Sequence, residues 1–361
     1  MTSSYHCIGR GFCGTVWATD EGPALKREDG GMGSLVNDYI MHQRVLYSFT
    51  QLSQLKRRKH PTKKERDDTC PQIRIPECHR FMTADNPWWK ENLSRFPDRH
   101  LLPCSVLESQ RIPPFPDKTR ELIVERYCHP TIREQILACV ANKDCLIRPY
   151  LGRRRTQKNE FPKHSRFAAF SLRNYPLHED QMEELRIPIR DMERYAETMG
   201  EALATLHWIG EVDGNGVEFV LAPALSSDQN ITVNVLGGHT MWIMDFDACE
   251  SISMDLEGAQ QAVTAFWQND PYFPRPQTPL WNDFRKQYLK TSDDIASAQV
   301  APNAEERLDL ARLFIGLIEG KARDLSGGAP VKGGMQLNAH IDMPVPDMSS
   351  PWIDYPTRSG T

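Results

Sequence analysis

The sequence predicts an α+β fold in which a small, β-rich N-terminal part precedes a larger and mostly helical part. Residues 1–28 contain two β-branched or aromatic runs separated by turn residues, which is typical of a hairpin. Apolar residues recur at spacings of three and four from Ile189 to His207, which predicts an amphipathic helix. The chain has 361 residues, of which 40% are hydrophobic, so it can form one large domain or two moderate ones.

A glycine-rich turn opens the N-terminal hairpin. Gly9, Gly11 and Gly14 follow the pattern G-x-G-x-x-G, in which the missing Cβ atoms let the backbone approach phosphate oxygens. In dinucleotide-binding folds this pattern follows a strand and opens a helix. Here residues 15–19 are predicted to form a strand after the turn, which favours a hairpin that covers a nucleotide. A glycine-rich surface hairpin with no ligand is the alternative interpretation.

Lys26 lies on the returning strand of the hairpin, where its point charge suits nucleotide phosphates. Ser34 is a candidate N-cap for a helix that carries Asp38. Farther along, residues 121–127 are predicted to form a buried strand that leaves this N-terminal part. We therefore expect three parts, namely residues 1–127 with an insertion at about 50–120, a helical domain at 128–323, and a Gly/Pro-rich tail at 324–361.

Asp245 follows the apolar run Met241–Met244, which is predicted to be a short buried strand. Phosphoryl transfer needs a metal-binding carboxylate close to the phosphates, and an aspartate at the exit of a buried strand can supply it. The alternative is that Asp245 caps an ordinary turn after a strand. The glycine-rich turn and Lys26 in the same chain favour the metal-binding interpretation.

Composition argues against several other classes of protein. The formal net charge of −5 disfavours a chain that binds nucleic acid over its whole surface. No run approaches the roughly 18 apolar residues of a membrane-spanning helix, so no membrane partner is expected. The nine cysteines are odd in number and have no C-x-x-C spacing, which favours free thiols over disulfides or a structural zinc site.

Residues 56–66 form a basic run that is predicted to be a solvated loop. The functional alternative is a nuclear address or a site for an anionic partner. The expected location is therefore the cytoplasm, with the nucleus as the alternative. This run and the tail are the candidate surfaces for a protein partner.

Together these motifs resemble the protein-kinase-like superfamily, and within it the small-molecule kinases of the aminoglycoside-phosphotransferase type. The resemblance spans most of residues 5–320. Residues 203–208, 213–221 and 269–276 also resemble a fungal family of kinase-like proteins that carries the label "zinc finger protein". The resemblance implies a two-lobed fold, with a β-rich N-lobe and a mostly helical C-lobe, and it implies ATP and Mg²⁺ as cofactors.

The resemblance also implies roles for individual residues. Gly9, Gly11 and Gly14 would cover the phosphates, and Lys26 would hold the α- and β-phosphates. Asp38 would pair with this lysine, although it is shorter than the glutamate that kinases have there.

The nucleobase and the metal would be bound farther along the chain. By the same resemblance, Glu125 to Tyr127 would form the hinge whose backbone binds adenine, and Asp245 would be the metal ligand.

The chain departs from the kinase pattern in the catalytic loop. Kinases place an aspartate soon after a Leu-His helix end, and an asparagine five residues later binds the second metal. Here no His-Arg-Asp or His-Gly-Asp triplet follows the helix end, and the loop is shorter. Asp213 is the best candidate base, with Asn215 or Glu218 as the second metal ligand. Residues 213–216 also suit a plain hairpin turn, and the two interpretations are compatible.

Three functions are consistent with the sequence. The first is ATP- and Mg²⁺-dependent phosphotransfer to a small-molecule hydroxyl or amine, which the glycine-rich turn, Lys26 and Asp245 favour. The second is a pseudokinase, a binding or scaffold protein that keeps the fold without transfer, which the altered catalytic loop favours. The third is a non-kinase enzyme of fungal specialised metabolism that uses the cleft of the same scaffold.

Overall fold

The computed structural model of the chain describes residues 3–11, 14–30, 34–59, 73–97, 101–155, 170–228, 231–298 and 303–326. Over these residues the fold is α+β, with two β-sheets and a mainly helical second half. None of the helices in these ranges is long and apolar enough to cross a membrane. Of the predicted tail, residues 324–326 end the last helix, and the remainder lies outside the described residues.

The first sheet is antiparallel throughout. Its strands are β1 (His6–Arg10), β2 (Thr15–Ala18), β3 (Ala24–Arg27), β5 (Cys78–Met82) and β6 (Val106–Ser109). They lie in the order β1-β2-β3-β6-β5, so the predicted hairpin of residues 1–28 forms one half of the sheet.

The stretch at about residues 50–120, which we predicted to be an insertion, supplies the other half of this sheet. In β6, Val106 and Leu107 point to opposite faces and join separate apolar clusters on the two sides. The surrounding prolines and polar residues hide this short alternation in the sequence. The segments Cys78–Met82 and Val106–Ser109 are therefore an integral part of the sheet, whereas residues 60–72 and 98–100 of the stretch lie outside the described residues.

The second sheet is mixed. Its strands are β4 (Ile73–Arg74), β7 (Ile147–Tyr150), β8 (Tyr175–His178), β9 (Glu218–Pro223), β10 (Thr232–Asn234) and β11 (Gly237–Met244). The main order is β10-β11-β9-β7-β8, and β4 pairs with β11 in parallel. In the β9–β11 hairpin Met244 lies opposite Glu218, so the segment after β11 begins beside Glu218. The strand predicted at 241–244 is confirmed as the end of β11.

The helices account for most of the remaining described residues. They are α1 (Leu35–Lys59), α2 (Trp88–Asn92), α3 (Asp117–Tyr127), α4 (Arg133–Ala138), α5 (Glu179–Glu184), α6 (Ile189–Thr205), α7 (Leu256–Gln268), α8 (Pro279–Ser297) and α9 (Ala304–Ser326). The predicted cap of α1 is confirmed, because Ser34 Oγ accepts a hydrogen bond from Asn37 N at 3.2 Å. One π-helical turn, Leu206–Gly210, extends α6.

Two predictions of local structure are wrong. Residues 121–127 belong to a helix, α3, and not to a strand. The side chains of Thr119, Arg120, Ile123 and Val124 are buried along one helical face, whereas a short apolar run alone is ambiguous between strand and helix.

The second wrong prediction concerns the basic run at 56–66. Its first four residues, Lys56–Lys59, form the last turn of α1 and not a loop. Cations are favoured at this end of a helix by the helix dipole. Residues 60–66 lie outside the described residues.

Gly200 lets α6 and α8 pack closely. A Cβ atom at position 200 would lie 2.5 Å from the carbonyl oxygen of Phe284. We expect Gly200→Ala to lower the free energy of unfolding by about 1–3 kcal/mol, measured by chemical denaturation, because the helices must separate. Gly316→Ala on α9 is the control, since a Cβ there meets nothing within 4 Å. Equal effects of the two substitutions would contradict the close packing at Gly200.

His207 is buried at the end of α6 and is held neutral there. Its Nε2 donates to the carbonyl oxygen of Asp213 at 3.3 Å, and its Nδ1 accepts from the Tyr288 hydroxyl at 2.9 Å. Burial lowers the pKa of His207 to about 3. Below the unfolded-state pKa of about 6.5, the unfolded chain therefore binds a proton that the folded chain does not.

Acidification should therefore destabilise the fold through His207. We expect this residue to cost about 1.4 kcal/mol of unfolding free energy at about pH 5.5 relative to neutral pH. In urea titrations across this range, His207→Gln should show a smaller loss of stability on acidification than the wild type. His79→Gln, at an exposed position, is the control and should keep the wild-type slope. An unchanged slope in His207→Gln would contradict the buried neutral imidazole.

Candidate functional site

The ammonium group of Lys26 lies at the centre of the candidate site. Its Nζ is 2.7 Å from Oδ2 of Asp38, 2.6 Å from Oδ1 of Asp245 and 3.3 Å from Oδ2 of Asp247. An ammonium has three N–H donors, so the three carboxylates can accept all of them. The structure thus brings together Lys26, Asp38 and Asp245, which the sequence predicted as site residues, and adds Asp247.

Local structure directs Lys26 toward this cluster. Its neighbours on β3, Leu25 and Arg27, face the opposite side of the sheet, where Leu25 joins an apolar cluster and the Arg27 guanidinium lies over Trp89. Because side chains alternate along a strand, Lys26 faces α1. Its side chain is only 16% exposed.

Helix α1 also fixes the segment that follows β11. Asp38 uses its second oxygen, Oδ1, to accept a hydrogen bond from Phe246 N at 3.2 Å. The side-chain amide of Asn37 donates to the carbonyl oxygens of Asp247 and Cys249, both at 2.9 Å. The first turn of α1 therefore holds this segment through backbone groups as well as through charge.

The backbone bends sharply at Asp245. Its φ of +66° lies in the left-handed region, which a non-glycine residue adopts rarely. Phe246 is buried against the ring of His42, with centroids 5.1 Å apart, while Asp245 and Asp247 both reach Lys26. The anchored phenylalanine and the bend together place the two flanking carboxylates at one ammonium.

The cluster carries excess negative charge. Three carboxylates against one ammonium leave a formal charge of −2. Burial by itself would lower the pKa of Lys26, but Asp245, Asp38 and Asp247 outweigh it and hold this pKa well above its ordinary value. Burial raises the pKa of Asp38 and of Asp247, and the neighbouring Asp245 raises both further.

Asp245 and Asp247 are the members of the cluster that could hold a metal ion. Both oxygens of Asp38 accept hydrogen bonds, whereas the described residues give Asp245 and Asp247 a hydrogen bond at one oxygen each. Carboxylate oxygens are the ligands that Mg²⁺ prefers, and the excess charge favours a cation. Within the described ranges, no group of three or more His, Cys, Asp or Glu residues is already arranged around a metal position.

The carboxylate of Asp213, the predicted base, accepts three hydrogen bonds from the protein. Its Oδ1 accepts hydrogen bonds from the backbone N–H groups of Asn215 and Glu250, both at 3.0 Å, and its Oδ2 accepts one from the Gln261 side chain at 3.1 Å. The residue is 4% exposed. The structure thus places Asp213 outside the Lys26 cluster, in a position that ties its loop to the segment after β11.

Asn215, like Asp213, forms hydrogen bonds with the segment after β11. Its side-chain amide donates to the carbonyl oxygen of Ala248 at 3.2 Å, and its own carbonyl oxygen accepts from Cys249 Sγ at 3.2 Å. The predicted metal ligand is therefore in contact with the backbone of the neighbouring segment and not with the Lys26 cluster.

Glu218, the other predicted second metal ligand, is paired with an arginine. NH2 of Arg148, on β7, lies 2.6 Å from Oε1 and 2.5 Å from Oε2 of Glu218. Burial raises the pKa of Glu218 and outweighs the lowering effect of Arg148. The negative charge of Asp245 contributes to the same rise, and Glu218 lies opposite Met244, the residue directly before Asp245.

The glycine-rich turn has a structural requirement of its own. Gly11 N donates to Gly14 O at 2.8 Å and Gly14 N donates to Gly11 O at 3.3 Å, which closes the turn. Gly14 has a φ of +147°, and a Cβ there would collide with the carbonyl oxygen of Arg27. At Gly11 a Cβ would meet nothing within 4 Å, and at Gly9 only Val16, at ordinary contact distance. The hairpin itself thus explains Gly14 but neither of the other two glycines.

The predicted hinge at Glu125 to Tyr127 is wrong, because these residues end α3. The Tyr127 hydroxyl donates to the carbonyl oxygen of Gln181 at 3.0 Å, and its ring lies under the Arg155 guanidinium. The strand that leaves the first sheet is β6, and it leads into residues 110–116.

Two residues of the site were missed in the sequence. Asp247 is two positions from Asp245, and the Asp-Phe-Asp spacing around an apolar residue was the signal for it. Arg148 lies on β7, where a charged residue among apolar neighbours was a signal for a buried partner.

Comparison with known proteins gives a match to a family model over part of the chain. The family DUF3669, described as "Zinc finger protein", matches residues 241–300, a stretch that contains Asp245 and Asp247. This stretch has one cysteine, Cys249, and no histidine, so it does not itself supply the Cys and His ligands of a structural zinc site. No curated protein and no solved structure matches the chain.

The hydrogen bonds of Asp213 predict a structural role. Asp213→Ala would leave two backbone N–H groups and one side-chain amide without their acceptor, so we expect unfolding to become easier by about 1–3 kcal/mol. Chemical denaturation measures this difference. Asp309→Ala is the matched control on α9, where the side chain is 77% exposed, and it should change stability by less than about 0.5 kcal/mol. A neutral Asp213→Ala would refute the structural role.

Proposed function

We propose that this chain is a two-lobed, kinase-like phosphotransferase that binds ATP with Mg²⁺ and transfers the γ-phosphoryl group to a hydroxyl or amine of a small molecule. The observation that carries the proposal is the contact of Lys26 with Asp38 on α1 and with Asp245 after β11. Protein kinases need a strand lysine paired with a helix acid, and an aspartate that holds magnesium, in place at the same time.

The arrangement of elements supports the proposal. The first sheet and α1 would form the N-lobe, and the second sheet with the later helices would form the C-lobe. Residues 110–116, which follow β6, would take the hinge role in place of α3. Pro113, Pro114 and Pro116 have no N–H group. Gln110 N and Phe115 N donate to Glu77 O and Cys145 O, so Arg111 and Ile112 carry the candidate backbone donors to adenine.

The residues of the cluster have separate roles in this proposal. Asp245 and Asp247 would hold Mg²⁺, which neutralises part of the charge on the nucleotide phosphates when it is bound. Asp38 would keep the Lys26 ammonium in place, and the two N–H donors that face Asp245 and Asp247 in the ligand-free site would turn to phosphate oxygens once those carboxylates hold Mg²⁺. Gly9 and Gly11, which the hairpin does not require, would let the backbone approach the same phosphates.

On the acceptor side, the proposed reaction needs little covalent chemistry from the protein. The transferred phosphoryl group passes through a loose transition state in most analyses, so positioning and charge supply most of the catalysis. This proposal therefore assigns no base to Asp213, whose carboxylate already accepts three hydrogen bonds.

The three hydrogen bonds that the Asp213 carboxylate already accepts favour a second candidate function. A protein that binds Mg²⁺ and a nucleotide without transferring phosphate would keep Lys26 and Asp245 but would not need a free acid in the catalytic loop. This candidate is the pseudokinase, a binding or scaffold protein.

Thermal unfolding with ATP, with and without Mg²⁺, tests nucleotide binding. A ligand at about 100 times its dissociation constant adds roughly 2.7 kcal/mol to stability, which raises the unfolding temperature by several degrees. We expect a Mg²⁺-dependent rise in the wild type, no rise in Lys26→Met, and no Mg²⁺ dependence in Asp245→Asn.

Matched substitutions control for general effects on the fold. Lys59→Met and Asp309→Asn change the same residue types at more exposed ion pairs, with Asp294 and Arg312, and should keep the full response. Equal shifts in Asp245→Asn and wild type would contradict the assignment of the metal ligand. Transfer of the labelled γ-phosphate of ATP to aminoglycosides, or to other hydroxyl or amine compounds, then distinguishes phosphotransfer from nucleotide binding alone.

A further inference from the structure

In sequence position, Glu218 corresponds to the residue that binds the second metal ion in kinases. Asp213 and Glu218 are five residues apart, which is the spacing of the kinase base and the asparagine that binds a second Mg²⁺. In the β9–β11 register Glu218 lies opposite Met244, directly before Asp245. Position alone would thus make Glu218 the ligand of a second ion.

The contacts of Glu218 oppose that role. The guanidinium of Arg148 donates to both of its oxygens, at 2.6 and 2.5 Å, in a charge-assisted contact. Each side chain is 19% exposed, so the pair is mostly removed from water. A second ion on Glu218 would have to displace a positive charge that is already in contact with the carboxylate.

Neighbouring groups keep Arg148 charged and in place. Burial alone would lower the pKa of Arg148, but Glu218 outweighs it and the pKa is raised. Tyr150 and Tyr272 contribute to the same rise, and their rings meet edge to face at 5.1 Å. The Arg148 guanidinium is therefore a cation held next to Glu218, which lies opposite Met244, the residue directly before Asp245.

We propose that Arg148 takes the place of a second metal ion. The site then holds one divalent cation, on Asp245 and Asp247, and the guanidinium supplies the other positive charge. Glu218 is a positioning residue for Arg148 and not a metal ligand. This inference rests on the proposed function, because it describes the nucleotide-bound form of the same site.

Counting bound Mn²⁺ tests the inference without any measurement of activity. The full chain is titrated with Mn²⁺ in the presence of a non-hydrolysable ATP analogue, and free Mn²⁺ is read by electron paramagnetic resonance. After subtraction of the Mn²⁺ that the analogue binds in solution, we expect one tightly bound ion per chain. Two tightly bound ions in the wild type would overturn the inference.

Two isosteric variants locate the ligands. Glu218→Gln should bind one Mn²⁺ with an affinity within about twofold of wild type, whereas Asp245→Asn should bind it at least tenfold more weakly. A loss of Mn²⁺ affinity in Glu218→Gln as large as that in Asp245→Asn would overturn the inference, because Glu218 would then be a ligand.

Arg148 is tested in a double variant, because its removal alone would leave the buried carboxylate of Glu218 without its partner. Arg148→Gln combined with Glu218→Gln keeps both shapes and removes both charges, and it should weaken binding of the ATP analogue at least fivefold while it keeps one Mn²⁺. Unchanged binding of the analogue would overturn the role of the guanidinium. If the wild type binds no analogue, the proposed function fails and this inference fails with it, whereas a count of two ions overturns only the inference.

Discussion

The ammonium of Lys26 joins three elements that are far apart in the sequence: strand β3, the first turn of α1 and the segment after β11. Each contact pairs a mostly buried charge with a partner from another element. Removing one partner of a buried ion pair is costly, because the remaining charge stays uncompensated away from water. The position of the first sheet relative to the β9–β11 hairpin therefore depends on this ammonium.

Helix α1 extends the same constraint beyond the cluster. Asn37 and Asp38 hold the backbone of the segment after β11, and Arg44, two turns farther along, donates to Ser251 Oγ at 2.7 Å and to Glu211 at 3.3 Å. A shift of α1 would break these contacts together. Any ligand that changes the contacts of Asp245 consequently acts on a segment that α1 also holds, so the helix and the site respond as a unit.

The parts of the site that the sequence predicts are those that local patterns determine. A strand alternation places Lys26, an N-cap begins the helix that carries Asp38, and an apolar strand ends at Asp245. The strand prediction at residues 121–127 was wrong because residues 122–124 form an apolar run too short to separate strand from helix.

Long-range contacts explain what the sequence does not reveal. Strand β6 is recognisable only through its pairing with β3 and β5. The buried state of Asp213 depends on Glu250 and Gln261, which lie in other elements. Arg148 meets Glu218 only because β7 and β9 are neighbours in the second sheet. None of these long-range contacts is indicated by a fixed spacing of residues in the sequence.

The hydrogen bonds and ion pairs of residues 213–218 affect which groups of the site can bind a ligand. Asp213, Asn215 and Glu218 all have partners within the protein, whereas Asp245 and Asp247 each have one oxygen to which the described residues donate no hydrogen bond. The charged groups of the Lys26 cluster can bind a cation and a phosphate chain. A site of this composition suits chemistry in which the substrates supply the reacting atoms and the protein supplies position and charge. Phosphoryl transfer is such a reaction, and nucleotide binding without transfer uses the same groups.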